Sequence, residues 1–535
     1  MNKNNVKVLM VFPRFSTNTF WNYWETCAVA GRKYSAAPLG LVTVAALLPE
    51  EWAVQLVDCN IEELSDDAIN WADMVMIGAM LPQQPHTKQV IARVHTHNKP
   101  VVLGGPDVTC SPSVYEEVEF RILGEVEEIM TDFLAAWDRG DRHGTFVAET
   151  FPDLRTSPLP RFDLLKLQHY MHVGVQFTRG CPFSCEFCNV IELNGRIPRF
   201  KTGEQMLREL DTLHSLGYRG HVDFVDDNLI GNPKIVRPFL EALCSWSESR
   251  GHPFTFSAEA SLNLADSQEL LSLMRRSGFF AVFIGIETPD TRTLLSVNKR
   301  QNAGRDIAES LHRIYEAGIF VNAGFIIGFD SETDSVAQEM IQCIEETAVP
   351  VCMVGLLYAL PNTQLSRRLQ EEERLHAGAG RLAIDDADQC TSGLNFDTLR
   401  PRSEILQDYR AVLGAIYHPV SFFGRVSRLV QVLKPRPDSL ANVMPHLWRN
   451  IRSFLRISWQ LGYRDRAVRG PYWRTLVGTL RHNPPAFKTA VSLAALYLHL
   501  RSFAGFMDAR LGEQIEADPL SEADPAPPLA RSMEG

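Results

Sequence analysis

The chain of 535 residues is 45% apolar and 22% charged, the balance of a soluble globular protein with length for two to four domains and a substantial core. Its ten cysteines are scattered outside one cluster, which argues against a disulfide scaffold and for a reducing compartment, the cytosol. The net charge of -11 hides an asymmetry: residues 421–510 carry 15 Lys and Arg against three Asp and no Glu, so this region faces something different from the acidic remainder.

The N-terminus, MNKNNVKVLMVFPRF, has an apolar run only from Val8 to Phe12, too short for a signal-peptide core. No uninterrupted apolar stretch approaches the roughly 18 to 20 residues that span a bilayer. The expectation is a chain that is neither exported nor membrane-crossing.

Residues 6–140 alternate short apolar runs (VKVLMVF, AVQLVD, DMVMIG, PVVLGG, EFRILG) with helical patterns, including Pro85–His97 and Glu125–Trp137. This alternation predicts a doubly wound parallel sheet covered on both faces. Ligands of such sheets bind beyond the carboxyl ends of the strands. Those ends read Asp58-Cys59-Asn60, Gly78-Ala79-Met80-Leu81, Gly104-Gly105-Pro106-Asp107 and Gly124-Glu125. Paired glycines let a backbone approach a flat ligand, and they serve any tight turn equally. Residues 141–172, with FPDLRTSPLPRFDLL, read as an irregular linker.

From 173 to 365 the alternation resumes. VGVQFT leads into RGCPFSCEFC, where Cys181, Cys185 and Cys188 stand in C-x3-C-x2-C spacing. Three thiolates in one loop hold an iron–sulfur cluster or zinc, and the usual cubane takes four cysteines. The seven other cysteines lie at least fifty residues away, which leaves one iron open to a non-protein ligand. A structural zinc knuckle or three core cysteines are the plainer readings. HVDFVDDN, FTFSAEAS, FAVFIGIETP, IFVNAGFIIGFD and PVCMVGLLYALPN follow as five more strands, each after a helical stretch. Polar residues collect at the strand ends: Asp226, Asp227 and Asn228, then Glu259, Glu287 and Asp330. Each has an alternative as an N-cap of the next helix.

Residues 365–400 read as an exit helix and a loop or lid, with a plain connector as the alternative. The basic region, 366–510 with its connector, is mainly helical. In LWRNIRSFLRISWQL, Trp448, Ile451, Leu455 and Trp459 share one helical face, with Arg449, Arg452 and Arg456 beside it. Such helices pack on the preceding strand–helix unit with basic faces in water, or lie on an anionic bilayer surface. No nucleic-acid-binding motif accompanies the charge. The acidic, proline-bearing residues 511–535 read as a disordered tail.

C-x3-C-x2-C after a strand resembles the signature of radical S-adenosylmethionine (SAM) enzymes. The resemblance implies a partial (β/α)6 barrel with its active site at the strand carboxyl ends, and a [4Fe-4S] cluster on Cys181, Cys185 and Cys188. In that family SAM chelates the fourth iron, and its reductive cleavage releases a 5′-deoxyadenosyl radical. By resemblance Asp226 and Asp227 contact the methionyl amine, Glu259 reaches the ribose hydroxyls, and Glu287, Gly324 and Gly328 line the adenosine side. The preceding unit resembles the cobalamin-binding domain of the cobalamin-dependent radical SAM class, with Asp58, Gly78, Gly104, Gly105, Pro106 and Gly124 at the cofactor edge. The D-x-H-x-x-G motif of histidine-ligating domains is matched here by Asp58-Cys59-Asn60-Ile61-Glu62-Glu63, so this motif gives the cobalt no imidazole.

The segments FWNYWETCAVAGRKYSAAPLGLVTVAALLP, MLPQQP, GGPDVT, GHVDFVDDNLIGN and VCMVGLLYALPNTQL are similar to the hopanoid C-2 methylase group of bacteria. That resemblance implies methylation of an unactivated carbon on an apolar lipid, a hopanoid. It also implies electrons from a flavodoxin or ferredoxin; the basic helices themselves add the expectation of peripheral contact with the inner face of the membrane and of no nucleic-acid partner. The alternative is an enzyme of the same class that rearranges or cyclises its substrate without methyl transfer.

Overall fold

The computed structural model describes residues 5–16, 18–381, 393–436 and 447–516. Six parallel strands form the first sheet: β1 (Lys7–Phe12), β3 (Ala53–Asp58), β4 (Met74–Gly78), β5 (Val101–Gly104), β6 (Phe120–Leu123) and β7 (Gly144–Val147), in the order β3-β1-β4-β5-β6-β7. The order reverses between β1 and β4, the crevice where sheets of this class take ligands. Strand side chains alternate between faces. Leu9, Val11, Val75 and Ile77 therefore enter one core with helices 66–71 and 84–96. Val8, Met10, Met74 and Met76 enter a second core with helices 39–45 and 126–139. The doubly wound fold read from the sequence is the fold observed.

β2 (Tyr34–Ala36) lies within this unit's sequence but pairs with β8 (Tyr170–Val175), at the edge of the second sheet. That sheet continues through β11 (His221–Phe224), β12 (Thr255–Ala260), β13 (Phe279–Glu287), β14 (Phe320–Ile327) and β15 (Val351–Leu356), all parallel. Six of its strands are those of the expected partial barrel. A short antiparallel pair, β9 (Thr178–Arg179) and β10 (Arg199–Phe200), brackets the cysteine loop. β7 falls inside the stretch read as irregular linker. It is an edge strand held by Phe146 against Phe133, with ring centroids 5.8 Å apart.

Helices Arg402–Ile416, Pro419–Val432, Leu447–Ile457, Arg466–His482 and Phe487–Glu516 complete the chain. Their apolar faces merge with the barrel in one continuous core that includes Tyr409, Val412, Phe423 and Tyr497, each fully buried Val or Leu contributing about 1.5–3 kcal/mol. The fully buried Arg425 fixes the joint: its Nε donates to the Val349 carbonyl at 2.8 Å, one terminal nitrogen donates to the Ile416 carbonyl at 2.6 Å, and the other pairs with Glu345 at 2.5 Å. Phe487–Glu516 also receives the N-terminal segment through Thr26, which donates to the Ala495 carbonyl at 3.0 Å, and through the Glu25–His499 contact at 2.8 Å.

One helix bears on the expectation that no segment crosses a membrane. The helix Pro484–Glu516 is long and apolar enough to cross a membrane by length and composition, and half of its most apolar window is buried within the protein. Lys488 and Arg501 interrupt the apolar run, so a search for an unbroken stretch passes over it. The helix continues through residues 511–516; the rest of the expected tail, and residues 382–392 of the expected lid, lie outside the described residues.

Candidate active site between two facing sheets

The carboxyl ends of the two sheets face one another. Arg179, at the end of β9, pairs with Glu125 after β6 at 2.7 Å and with Glu127 at 2.8 Å, and all three are nearly buried. Arg199 on β10 pairs with the same Glu125. On another side, Asn362 donates to the Cys110 carbonyl at 3.2 Å, and Gln84 donates to both Asp107 at 3.0 Å and the Gly380 carbonyl at 3.2 Å. Asp58, at the end of β3, accepts from Asn60 at 2.7 Å and from the Tyr170 hydroxyl at 2.8 Å, which ties the first sheet to the first barrel strand. Both of its oxygens are engaged within the protein.

The cysteine loop sits at this junction. Gly180 has φ +96, and a Cβ there would lie 2.9–3.1 Å from the carbonyl oxygens of Asn194, Gly195 and Ile197; only glycine takes that backbone in that space. Two carboxylates clamp the loop. Asp226 accepts from the Thr178 amide, and Asp227 accepts from the Gly180 amide at 2.7 Å and from Asn194 at 3.0 Å. Asp226 Oδ2 and Asn228 Oδ1 remain buried without a hydrogen-bond partner. The caps of the helices that follow are other residues, Asn232, Ser267 and Asp290, so the capping alternative does not account for Asp226, Asp227, Glu259 or Glu287.

Cys185 is buried, and Cys181 and Cys188 are partly so. Burial, reinforced by the neighbouring thiols, raises the Cys181 and Cys188 thiols, the latter to about 12. Binding a metal therefore displaces protons from this loop. Lys299 lies within electrostatic reach of Cys185 and Cys188, and Gln301 Nε2 approaches Cys185 Sγ at 3.6 Å. Soft thiolate donors beside a cation fit an iron–sulfur cluster. Among the described residues no three His, Cys, Asp or Glu side chains converge as a ready single-ion site.

Glu287 pairs with Lys299 at 2.6 Å, both nearly buried, from a backbone at φ +70. A non-glycine residue held in the left-handed region marks a strained position of the kind found at functional sites. A Cβ on Gly324 would meet the Phe283 ring at 2.9 Å, and one on Gly328 would meet Leu394 at 2.7 Å. Asp330 is held by two arginines. It pairs with Arg374 at 2.6 Å and Arg368 at 3.0 Å, and Arg368 also holds Glu186 of the cysteine loop at 2.6 Å. A cavity of about 380 Å³ lies beside this network, lined by Glu186, Phe187, Phe329 and Leu365 among others. A wider groove of about 960 Å³ runs between the linker and helices 203–215 and 233–249 and holds none of the cysteines or candidate SAM carboxylates.

At the first sheet's ends, a Cβ on Gly105 (φ +103) would lie 2.6 Å from the Ala79 carbonyl oxygen, and one on Gly124 would lie 2.8 Å from Ala148 Cβ. The chain's own packing thus requires these glycines. Gly78 abuts Leu41 at 3.0 Å, and Pro106 opens the short helix Pro106–Cys110. Gly104 differs: its Cβ would meet Ile122 at 3.7–3.8 Å, ordinary van der Waals distance, so internal packing does not demand glycine there.

The sequence reading missed a polar chain inside the barrel. His172 on β8 and His221 on β11 have ring centroids 5.1 Å apart, His221 Nε2 lies 2.6 Å from Ser257 Oγ, and Ser257 donates to Asp223. Enclosure, aided by His172, pushes His221 down to about 3. Glu259 lies further along β12 toward the open rim, where its side chain is solvent-accessible; enclosure, with Asp223 and Asp227, raises it to about 8. The alternation of strand side chains was the available signal: residues 221, 223, 257 and 259 are the inward positions of β11 and β12.

Two facing parallel sheets, one ending in a glycine-bearing edge and the other in a three-thiolate loop, define a cobalamin-binding radical SAM enzyme. Residues 25–134 match the B12 binding domain, residues 175–344 the radical SAM superfamily, and residues 363–512 a domain of unknown function (DUF4070). The chain is 38% identical over 515 residues to an uncharacterized methyltransferase of Synechocystis sp., covering 95% of this chain and 94% of that one. It is 33% identical over 479 residues to the hopanoid C-2 methylase of Rhodopseudomonas palustris, covering 87% of each. The structure of the cobalamin-dependent SAM radical enzyme OxsB with aqua-cobalamin bound superposes with a TM-score of 0.60 at 15% identity, over 97% of this chain and 81% of that one, a likeness of fold. The chain belongs to the cobalamin-dependent radical SAM methyltransferase family, whose cofactors are a [4Fe-4S] cluster, SAM and cobalamin.

Proposed function

We propose that this enzyme methylates C-2 of a hopanoid, an unactivated ring carbon. The observation that carries the reading is the 33% identity to a hopanoid C-2 methylase across 87% of both chains, together with the facing sheet ends, which open two cofactor edges onto one space.

Bound cluster, SAM and cobalamin supply hydrogen abstraction and methyl transfer, chemistry that no protein side chain performs on an aliphatic C–H bond. The chain's residues hold and orient. Cys181, Cys185 and Cys188 ligate the cluster, with Lys299 offsetting thiolate charge. Asp226 and Asp227 fix the loop, and the unpartnered Asp226 Oδ2 is an acceptor suited to the SAM ammonium. Glu259 is an acceptor suited to the ribose hydroxyls, Glu287 sets Lys299, and Gly324 and Gly328 line the adenosine side. On the first sheet, Gly78, Gly104, Gly105, Pro106 and Gly124 form the cobalamin edge, and Asp58 anchors it to the barrel. Flavodoxin or ferredoxin supplies electrons.

Lipid analysis of a deletion strain tests the assignment. Loss of 2-methylhopanoids with retention of their unmethylated parents is expected; an unchanged hopanoid profile would refute it.

A further inference from the structure

Among the described residues, the helices after residue 446 leave one surface without a partner. Helix Leu447–Ile457 turns Phe454 and Ile457 toward the core. Its opposite side continues through the π-helical turn Ser458–Arg464 and presents Trp448 at 82% exposure, Leu455 at 60%, Trp459 at 61% and Tyr463 at 66%. Trp459 and Tyr463 stack at 4.8 Å, and Trp473 donates to the Gly462 carbonyl at 2.9 Å, so the face runs on to Trp473, Val477 and Leu480 of the next helix. Single exposed apolar residues are ordinary on protein surfaces; a contiguous stripe with three tryptophans is not.

Cations border the stripe. Arg449, Arg452, Arg456, Arg464, Arg466, Arg469, Arg474 and Arg481 lie on these two helices and the turn between them. Among the described residues none of the eight is in an ion pair with a carboxylate, whereas Arg400, Arg410, Arg425, Arg428 and Arg501 of the same region all are. Partial burial, with a further cation, Arg32, within electrostatic reach, lowers the proton affinity of Arg449. Like charges gathered without counter-ions around an apolar aromatic face are complementary to a surface that is anionic outside and apolar beneath.

We infer that this face docks the enzyme on an anionic lipid bilayer, with Trp448, Leu455, Trp459 and Tyr463 entering the headgroup boundary and the surrounding arginines meeting lipid phosphates. The geometry is that of an interfacial amphipathic helix, in which tryptophan and tyrosine sit at headgroup level and arginine supplies the electrostatic attraction. It does not depend on which molecule is methylated. On the proposed hopanoid reading, it also explains how the enzyme reaches a substrate held in a membrane.

The test is flotation of the full-length protein with vesicles of phosphatidylcholine alone and of phosphatidylcholine with phosphatidylglycerol. Binding to the anionic vesicles only is expected. The triple variant Arg449→Gln, Arg452→Gln, Arg456→Gln should lower partitioning on the order of 100-fold at low salt. Trp448→Ala with Leu455→Ala should weaken it at all salt concentrations, and neither variant should alter the circular dichroism spectrum. Brominated lipid should quench tryptophan fluorescence in the parent, and less in the Trp448→Ala, Trp459→Ala variant. No flotation, or flotation indifferent to both sets of substitutions, would overturn the proposal. So would a concentration-dependent dimer lost in Trp448→Ala, which would assign the face to a second copy of the chain.

Discussion

Replacing Arg179 by Met removes the cation that joins the two sheets while keeping the apolar stem. Glu125 retains Arg199 as a partner, but among the described residues Glu127 is left with only the Ser157 hydroxyl at 3.1 Å, and its second oxygen already lacks a hydrogen-bond partner. One nearly buried carboxylate thus loses its charge partner, a change worth about 3–5 kcal/mol. Equilibrium urea unfolding of the purified protein should show a loss of that size, and the double variant Arg179→Met, Glu127→Gln should recover part of it, because the stranded charge is gone. Arg179→Lys should fall between, since a point charge reaches one carboxylate and a guanidinium reaches two. Functionally, Arg179→Met should form 5′-deoxyadenosine with fewer methyl groups transferred per cleavage, because the facing of the two cofactor edges is what the pair maintains. A stability change below about 0.5 kcal/mol with an unchanged methyl-to-deoxyadenosine ratio would refute the reasoning.

Cys185→Ala should abolish bound iron and SAM cleavage while leaving the first sheet folded, as read by iron analysis, product assay and circular dichroism; retained cleavage would exclude its ligand role. Glu259 binds its proton more tightly when folded, to about 8, than the ordinary value of about 4.3. The unfolded chain therefore releases this proton first, and stability falls as pH rises through that window. Thermal melts of Glu259→Gln and parent should diverge in favour of the variant between pH 5 and pH 8, by an amount reduced by the solvent access of the side chain; parallel profiles would show that the carboxyl ionises normally.

Much of the architecture was legible because strands buried on both faces read as continuous apolar runs, as VKVLMVF and DMVMIG do. The exceptions were short. Tyr34–Ala36 has three residues and no period to detect, and its place in the barrel sheet depends on β8, more than 130 residues onward. Gly144–Val147 is an edge strand whose alternation is brief and whose glycine argues for a loop. In the site, the cysteine loop declares itself because its chemistry is local in sequence. The pairs Arg179–Glu127 and Glu287–Lys299 and the His221–Ser257 contact join side chains whose proximity only the folded sheets decide. The aromatic stripe from Trp448 to Trp459 was legible as a helical face, but the spacing is identical for a face turned inward, and only the packing of Phe454 and Ile457 shows that it points out.

The most direct test of the central claim is anaerobic turnover with SAM carrying a deuterated methyl group, the reduced enzyme loaded with cluster and cobalamin, and a hopanoid substrate. Deuterated methyl at C-2 of the ring, formed in step with 5′-deoxyadenosine, is the expected result. Deoxyadenosine formed while the substrate is altered without label would contradict methyl transfer and leave a rearranging or cyclising enzyme in its place.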